Sequence, residues 1–243
     1  MFVKRKLRNA LNYYRYHLPV LDWLIGTFEL NNYTYALVGG FVKNIVAYDM
    51  SYRKYSSESR DLDIIVDVHR AELEYLLRYY HIKNVKNDFG GFKIIDRYQA
   101  TFNIDIDIWC LEDHQPFKAL PKKYHNWKGI RKSGWLSLCG GTWLPQTNKL
   151  YIKGLRKAIR SKKIKMYNPD YYFNSNQVVN KYTVVAKLID YKQHEYTLDK
   201  NCRSAVDTYL NNHTKIDSLV RYLEDHSDLV FSDWRQIIED MRH

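Results

Sequence analysis

Apolar residues recur at helical spacing near both ends of the chain and at strand spacing in between. Residues 2–30 carry apolar side chains three or four positions apart, which predicts helix with a break at Pro19. From Gln177 onward the helical spacing returns. The helical segments predicted there are 178–189, 204–210, 216–223 and 234–241.

The central part of the chain predicts several strands. The apolar run 34–38 is typical of a short buried strand, and the stretch 61–68 alternates as a half-buried strand does. After a turn at Phe89-Gly90-Gly91, residues 92–95 and 101–109 predict a hairpin. Short strands are also predicted within 135–144 and 150–152, around Gly140-Gly141 and Asn148.

A helix is predicted between the alternating strands, over residues 70–82. The side chains expected to point inward from it are Leu73, Leu76, Leu77 and Tyr80. Two polar segments, 51–60 and 112–134, predict loops or irregular structure; the second contains Pro116 and Pro121.

The pair Gly39-Gly40 follows the first predicted strand and precedes a predicted helix from Phe41 to about Met50. A glycine turn lets the backbone approach a phosphate closely, and the free N–H groups of a helix N-terminus point toward an anion. Lys43, expected in the first helical turn, could reach the same phosphate. Taken alone, a Gly-Gly pair is more typical of an ordinary tight turn.

Acidic residues occupy one face of each alternating strand. Asp61 and Asp63 are two residues apart, as are Asp105 and Asp107, so each pair points to one side. Carboxylates this close repel each other unless a cation lies between them, and magnesium prefers carboxylate oxygens. A single Asp-x-Asp is more typical of an exposed strand edge. Two such strands after a Gly-Gly turn favour a metal site.

Composition and charge indicate which classes of binding partner the chain favours. The chain has 243 residues, 45% of them hydrophobic, and a formal net charge of +11, which favours a polyanion such as nucleic acid. The densest basic run, residues 153–165, predicts contact with a phosphate backbone or, equally, a solvated helix face. Three scattered cysteines indicate a reduced, cytoplasmic protein, and no apolar run is long enough to span a membrane.

The motifs together resemble a known family. The stretch from Leu37 to Asn44, with the following Asp61-Leu62-Asp63-Ile64, resembles the head of the DNA polymerase β superfamily of nucleotidyltransferases. It is most similar to the branch of poly(A) polymerases and CCA-adding tRNA nucleotidyltransferases. That branch has a Gly-Gly-x-Val-Arg-Asp turn, an Asp-x-Asp, a Phe-Gly turn and a strand with a third carboxylate. Phe89-Gly90 and Ile106-Asp107-Ile108 match in the same order, and the resemblance covers residues 33–111.

The resemblance implies transfer of an NMP from an NTP to an acceptor hydroxyl, with release of pyrophosphate. It implies that Asp61, Asp63 and Asp107 are catalytic and bind two Mg²⁺ ions, with Mn²⁺ as an alternative metal. Asp105 is the alternative third carboxylate. The residues implied in nucleotide binding are Gly39, Gly40, Lys43 and Lys187, the last from the helix around Ala186-Lys187-Leu188.

Three departures from the branch limit the resemblance. Lys43-Asn44 replaces Arg-Asp, which keeps the positive charge but loses the two-pronged donor geometry. Arg131-Lys132-Ser133 lies near the place of an Arg-Arg-Asp segment but lacks the acid. No Glu-Asp-x-x-Arg base-reading motif is found, so protein-templated addition of C and then A is not predicted.

The sequence therefore predicts an α+β protein with a nucleotidyltransferase head, a mixed β-sheet flanked by helices, and a C-terminal helical region. The predicted parts are an N-terminal helical segment 1–30, the head 31–152 and a basic and helical part 153–243. The predicted activity is of the EC 2.7.7 type, from an NTP such as ATP to RNA, for example a tRNA 3′ end. The alternatives are a small-molecule or protein acceptor, as in antibiotic-modifying or toxin-like relatives, or a non-catalytic RNA-binding protein on the same fold.

Overall fold

The computed structural model describes residues 2–50, 61–87, 90–95, 104–169, 181–212, 216–227 and 233–241. The predicted loop 51–60, Phe89 of the predicted turn and the predicted helix start at Gln177 lie outside these residues. The chain packs as two compact units. The first comprises Met1–Gly134 and Leu138–Lys157, and the second Trp135–Ser137 and Ala158–His243.

Helices at the start of the chain follow the predicted periodicity. Pro19 opens the second helix, a position where its missing N–H costs nothing and its fixed φ suits the helix. The described helices up to residue 161 are α1 (Phe2–His17), α2 (Pro19–Leu30), α3 (Gly39–Asp49), α4 (Arg70–Tyr79), α5 (Trp127–Ser133) and α6 (Lys153–Ser161). The boundary between the two units falls within α6.

Seven described strands form one mixed sheet. Their bounds are β1 Tyr35–Val38, β2 Asp61–Val66, β3 Asn84–Lys86, β4 Phe92–Ile94, β5 Asp105–Cys110, β6 Thr142–Leu144 and β7 Lys149–Tyr151. Their order in the sheet is β3-β4-β5-β2-β1-β6-β7. The central strands β2 and β5 are parallel, and the other pairs described in this sheet are antiparallel. The structure therefore confirms the predicted mixed sheet flanked by helices.

The two faces of this sheet are covered differently. On one face the ring of Phe28 in α2 lies 6.0 Å from that of Tyr35, and the Arg70 guanidinium of α4 lies 5.8 Å from the Phe92 ring centroid. On the other face Phe117 and Ile130 pack against the sheet residues Ala36, Val38, Ile65 and Leu144. The polar side chains of the alternating strands share this second face.

Several details differ from the sequence predictions. Residues 112–134, predicted as irregular, contain α5 and two short 3₁₀ turns, Gln115–Ala119 and Lys122–Tyr124. The predicted strand 135–144 is extended only over β6, and β3 was not predicted. Tyr80 was expected to point inward but is 45% exposed, because α4 ends at Tyr79.

The second unit is mainly helical, as the periodicity predicted. Its described helices are α7 (Lys181–Gln193), α8 (Lys200–Asn212), α9 (Ile216–His226) and α10 (Trp234–Asp240). The interruption predicted at Thr197-Leu198-Asp199 is a short strand, β9 (Thr197–Leu198), parallel to β8 (Lys163–Ile164). Ala186, Leu188 and Ile189 on α7 are fully buried. Among the described residues, no helix is both long and apolar enough to cross a membrane.

Candidate active site

Four aspartates lie on one face of the central parallel strands. Asp61 is paired with Asp105 and Asp63 with Asp107 across β2 and β5. Paired residues of neighbouring strands point to the same face, and neighbouring strands are about 4.8 Å apart. The apolar residues between them, Leu62 and Ile106, are fully buried on the opposite face. The alternation seen in the sequence therefore brings the predicted carboxylates together.

The start of helix α3 lies beside this row. Val38, the last residue of β1, is paired with Asp63, and α3 begins at the next residue, Gly39. Gly39 has a φ of +64°, and a Cβ at this position would overlap Oδ2 of Asp63 and lie 3.2 Å from its Cγ. Only glycine fits both the backbone conformation and the space. The Gly-Gly pair thus brings a helix N-terminus into contact with a carboxylate.

Lys43 lies later in this helix than the sequence predicted. Gly39 and Gly40 are themselves the first residues of α3, whereas the predicted helix started at Phe41. The expectation that Lys43 lies in the first turn is therefore wrong: it begins the second turn, about one turn along the axis from the N-terminus.

Asp107 is held by a neighbouring side chain. Nδ2 of Asn87 donates a hydrogen bond to Oδ1 of Asp107 at 3.0 Å. Burial raises the pKa of Asp107, and the charges of Asp61 and Asp105 raise it further, while the Asn87 bond and Lys93 oppose the rise. A cation that binds here would offset the free-energy cost of ionising Asp107, because it stabilises the charged carboxylate.

A tight turn fixes Asn87. The backbone N–H of Gly91 donates to Oδ1 of Asn87 (2.8 Å), and the N–H of Asn87 donates to the carbonyl of Gly91 (2.9 Å). Gly90 adopts a φ of +85°, and a Cβ on Gly91 would lie 2.7 Å from the carbonyl oxygen of Ile108. Both ends of the Asn87 amide are therefore used, one for the turn and one for Asp107.

Lys93 brings a positive charge to the same face. It is paired with Asp107 across β4 and β5, and its Nζ lies 2.7 Å from Oδ2 of Asp105. The bond to Asp105, together with the charges of Asp107 and Asp61, raises the pKa of Lys93. The ammonium group thus neutralises Asp105 first and the other carboxylates in part.

The carboxylates fit a divalent cation in chemistry, since oxygen ligands on facing strands suit Mg²⁺. In the described part of the chain, no group of three or more His, Cys, Asp or Glu side chains has the geometry to hold a metal ion as it stands. Oδ2 of Asp105 accepts a hydrogen bond from Nζ of Lys93 at 2.7 Å.

A buried polar chain lies farther along the same face. Nε1 of Trp109 donates to Nδ1 of His114 at 3.0 Å, and Nε2 of His114 lies 2.7 Å from Oγ of Ser133. Ser133 in turn donates to the carbonyl of Ile130 at 2.7 Å, so Nε2 of His114 must carry the proton. Burial lowers the pKa of His114 to about 3, which keeps the ring neutral.

Lys187 and the basic run belong largely to the second unit. Within that unit Nζ of Lys187 lies 5.3 Å from the ring centroid of Trp135, and its predicted role with the nucleotide stays a prediction. In α6 the residues Leu155, Ala158 and Ile159 are buried and the basic residues between them are exposed. Lys162 donates to the carbonyl of His194 (3.3 Å), so not every cation of the run faces solvent.

No family model and no curated protein matches the sequence. Solved structures do match the fold. A CCA-adding enzyme with CTP gives a TM-score of 0.58 at 15% identity over 90% of this chain, and the Thermotoga maritima CCA-adding enzyme complexed with tRNA gives 0.55 at 16% over 89%. A tRNA nucleotidyltransferase complexed with a primer tRNA and an incoming ATP analogue gives 0.51 at 12% over 82%. The chain has the nucleotidyltransferase fold of these enzymes.

The nucleotidyltransferase fold was the fold that the motifs predicted. The chain spans 51% and 53% of the two CCA-adding enzymes and 59% of the tRNA nucleotidyltransferase. The similarity therefore establishes the fold, and the chemistry must be argued from the residues of this chain.

Two residues of the site were not identified in the sequence. Lys93 stands between Phe92 and Ile94, and a charged residue inside an apolar strand was a visible signal of a polar face. Asn87 comes shortly before Gly90-Gly91, and Asn is favoured where a side chain bonds to a nearby backbone N–H. Its contact with Asp107 depends on pairing between distant strands, which local sequence does not reveal.

Proposed function

We propose that the chain is a metal-dependent nucleotidyltransferase that moves an NMP from an NTP to a hydroxyl of an RNA and releases pyrophosphate. The observation that carries the proposal is the pairing of Asp63 with Asp107 on one sheet face, next to the helix start at Gly39. The nucleotidyltransferase fold supports the proposal, because the sequence motifs and the matching structures indicate the same fold.

Asp61, Asp63 and Asp107 would hold Mg²⁺. When bound, Mg²⁺ stabilises negative charge on the transferred phosphate and promotes ionisation of the attacking hydroxyl. Asp107 is the better third ligand because Lys93 already neutralises Asp105. Asn87 donates a hydrogen bond to Oδ1 of Asp107 and thereby fixes the orientation of the Asp107 carboxylate.

The N-terminus of α3 would receive the triphosphate. Val38 provides no side-chain cap there, and the N–H groups at a helix N-terminus favour anions such as phosphate. Lys43 adds a positive charge one turn further along the helix. The protein then contributes mainly position and charge to the reaction.

RNA is the proposed acceptor because of the charge of the chain. The formal net charge of +11 favours a polyanion over a small neutral acceptor. Paired carboxylates repel a phosphate backbone unless a cation lies between them. A protein that only bound RNA would not need such acids, so their presence favours catalysis over RNA binding alone.

The deciding experiment incubates the protein with Mg²⁺ and each labelled NTP, together with total RNA, total protein and small metabolites. Label in RNA is expected, and Asp63→Asn should lower it more than 100-fold, since loss of a metal ligand costs several kcal/mol. Asp67→Asn is the matched control, because it removes the same charge from an exposed residue beyond β2.

Other outcomes would change the proposal. Label in protein or in a small molecule would replace RNA as the acceptor. Nucleotide binding without pyrophosphate release from any mixture would show a non-catalytic protein. Equal activity of Asp63→Asn and Asp67→Asn would contradict the carboxylate assignment.

A further inference from the structure

The positive charge of the chain is concentrated in its middle. Between His114 and Pro169 there is no Asp or Glu, while fourteen Lys and Arg residues occur. Part of this stretch, residues 118–132, belongs to the first unit and is named here the basic segment. Its cations are Lys118, Lys122, Lys123, Lys128, Arg131 and Lys132.

The basic segment is anchored on the carboxylate face of the sheet. Phe117 just before it and Ile130 within it are buried against Val38 and Ile65. Ile65 points to the same face as Asp63 and follows it by two residues, or about 7 Å along the strand. The segment therefore lies on the face that an acceptor hydroxyl must approach.

Local contacts give the segment a defined shape. Oδ1 of Asn126 accepts from the N–H of Gly129 (3.1 Å) and caps α5. A Cβ on Gly129 would overlap the carbonyl oxygen of Tyr124, so the 3₁₀ turn and α5 are in close contact. The ring of His125 stacks on Phe117 with centroids 4.9 Å apart. The backbone that carries these cations is thus held by packing rather than left as a solvated loop.

The aromatic rings of the segment are engaged within the protein. Nζ of Lys132 lies 3.8 Å and Nζ of Lys123 5.4 Å from the ring centroid of Tyr124. Trp127 packs against the apolar cluster below. By contrast Lys118, Lys122 and Lys128 are exposed. The segment therefore presents ammonium groups, which bind phosphates, rather than ring faces, which stack on bases.

We propose that the basic segment 118–132 binds the phosphate backbone of the acceptor RNA, without reading its bases, and holds the strand against the repulsion of the four carboxylates. This inference rests on the proposed function for its acceptor. Phosphate contacts position a nucleic acid but carry no sequence information. Binding through this segment is therefore uniform across RNA sequences and steeply dependent on salt.

The test compares two triple variants of the full chain. Lys118→Gln/Lys122→Gln/Lys128→Gln removes three exposed charges from the segment. The control variant, Arg5→Gln/Arg8→Gln/Lys83→Gln, removes three exposed charges from α1 and from the residues after α4. Helix α4 packs on the sheet face opposite the carboxylates. Affinity for two RNAs of equal length and unrelated sequence is measured between 0.05 and 0.3 M salt, without NTP, beside thermal unfolding of each variant.

If three phosphate contacts are lost, the slope of log affinity against log salt falls by about 2 and affinity falls roughly 50-fold near 0.15 M salt. Equal losses for both RNAs, with little change in the control variant, support the inference. Should the segment variant unfold early, the three single substitutions, each with a slope change of ~0.7, provide the same comparison.

Three results would overturn the inference. The segment variant could keep the wild-type slope, lose affinity for one RNA sequence alone, or lose affinity for NTP instead of RNA. If the wild-type protein binds RNA and the segment variant binds it equally well, this inference is overturned and the proposed function stays in place. A wild-type protein that binds no RNA overturns both this inference and the RNA acceptor, while Mg²⁺-dependent pyrophosphate release tests nucleotidyl transfer separately.

Discussion

Asn87 donates a hydrogen bond from Nδ2 to Oδ1 of Asp107 at 3.0 Å, and this contact joins the turn after β3 to the centre of the sheet. Its other amide atom accepts from Gly91, so the side chain cannot rotate without breaking the turn. Asn87 is therefore a positioning residue for a carboxylate that would bind metal. Partners of this kind typically change metal affinity or activity 10- to 100-fold when they are lost.

We expect Asn87→Asp to lower nucleotidyl transfer roughly 10- to 100-fold and to raise the Mg²⁺ concentration needed for half-maximal activity. The new carboxylate can still accept from Gly91 but cannot donate to Asp107. Asn84→Asp is the control, since Asn84 carries the same amide in the same hairpin and bonds only locally to the carbonyl of Ile82 in the contacts described. A lower melting temperature with unchanged Mg²⁺ dependence would indicate a purely structural role.

Gly39→Ala should abolish most activity and lower stability. The added methyl group overlaps Oδ2 of Asp63, and a φ of +64° costs a non-glycine residue about 1–3 kcal/mol. Gly26→Ala is the control, because a Cβ at that position in α2 has no atom within 4 Å apart from its chain neighbours and its own helical backbone. That variant should gain roughly 0.5–1 kcal/mol from helix propensity. Thermal unfolding and activity measured on both proteins check the prediction.

The two acids of β5 should differ in importance. Asp107→Asn is expected to reduce activity more than 100-fold, because it removes the proposed metal ligand paired with Asp63. Asp105→Asn should cost less than about tenfold, since Lys93 already neutralises that carboxylate. The reverse order in kcat, measured at saturating Mg²⁺, would make Asp105 the third carboxylate.

Acid should destabilise the first unit through His114. Burial lowers the pKa of His114 to about 3, below the usual value of about 6.5, so the unfolded chain takes up a proton at higher pH than the folded protein. The contribution is complete above about pH 6.5 and is lost as the pH falls toward 3. Between pH 7 and 5 we expect a loss of about 2 kcal/mol.

Urea unfolding at several pH values measures this dependence. His114→Gln should flatten the pH profile, because its amide does not titrate. His81→Asn is the control, since His81 is exposed and its φ of +54° suits asparagine. Identical profiles for His114→Gln and the wild-type protein would exclude His114 as the cause.

Local sequence was sufficient for the strands that carry the acids. The alternation of Asp61-Leu62-Asp63-Ile64 placed both acids on one face, and the structure agrees. The same is true of β5. The pairing of Asp63 with Asp107 depends on two strands more than forty residues apart, so only the family resemblance suggested it before the fold was known.

Other features of the fold and the site depend on tertiary contacts, so local sequence did not predict them. Helix α5 was predicted as irregular because of the basic composition around it, although Asn126 as a cap and the spacing of Trp127 and Ile130 were available signals. Tyr80 follows the helical periodicity of α4 but lies just beyond the helix end, where periodicity no longer fixes direction. Asn87 and Lys93 acquire their roles only when β4 lies beside β5.

The parallel pairing of β2 with β5 also determines when the site can form. It joins residues 61–66 to 105–110, and β1 must in turn pair with β6 at Trp143. Contacts between such distant segments form slowly, because the entropy of closing the intervening loops is lost before the contacts stabilise the chain. During synthesis β2 and β5 cannot pair until Cys110 has emerged from the ribosome. Up to that point the growing chain has no assembled carboxylate face beside the RNA-rich translation machinery to which it is attached.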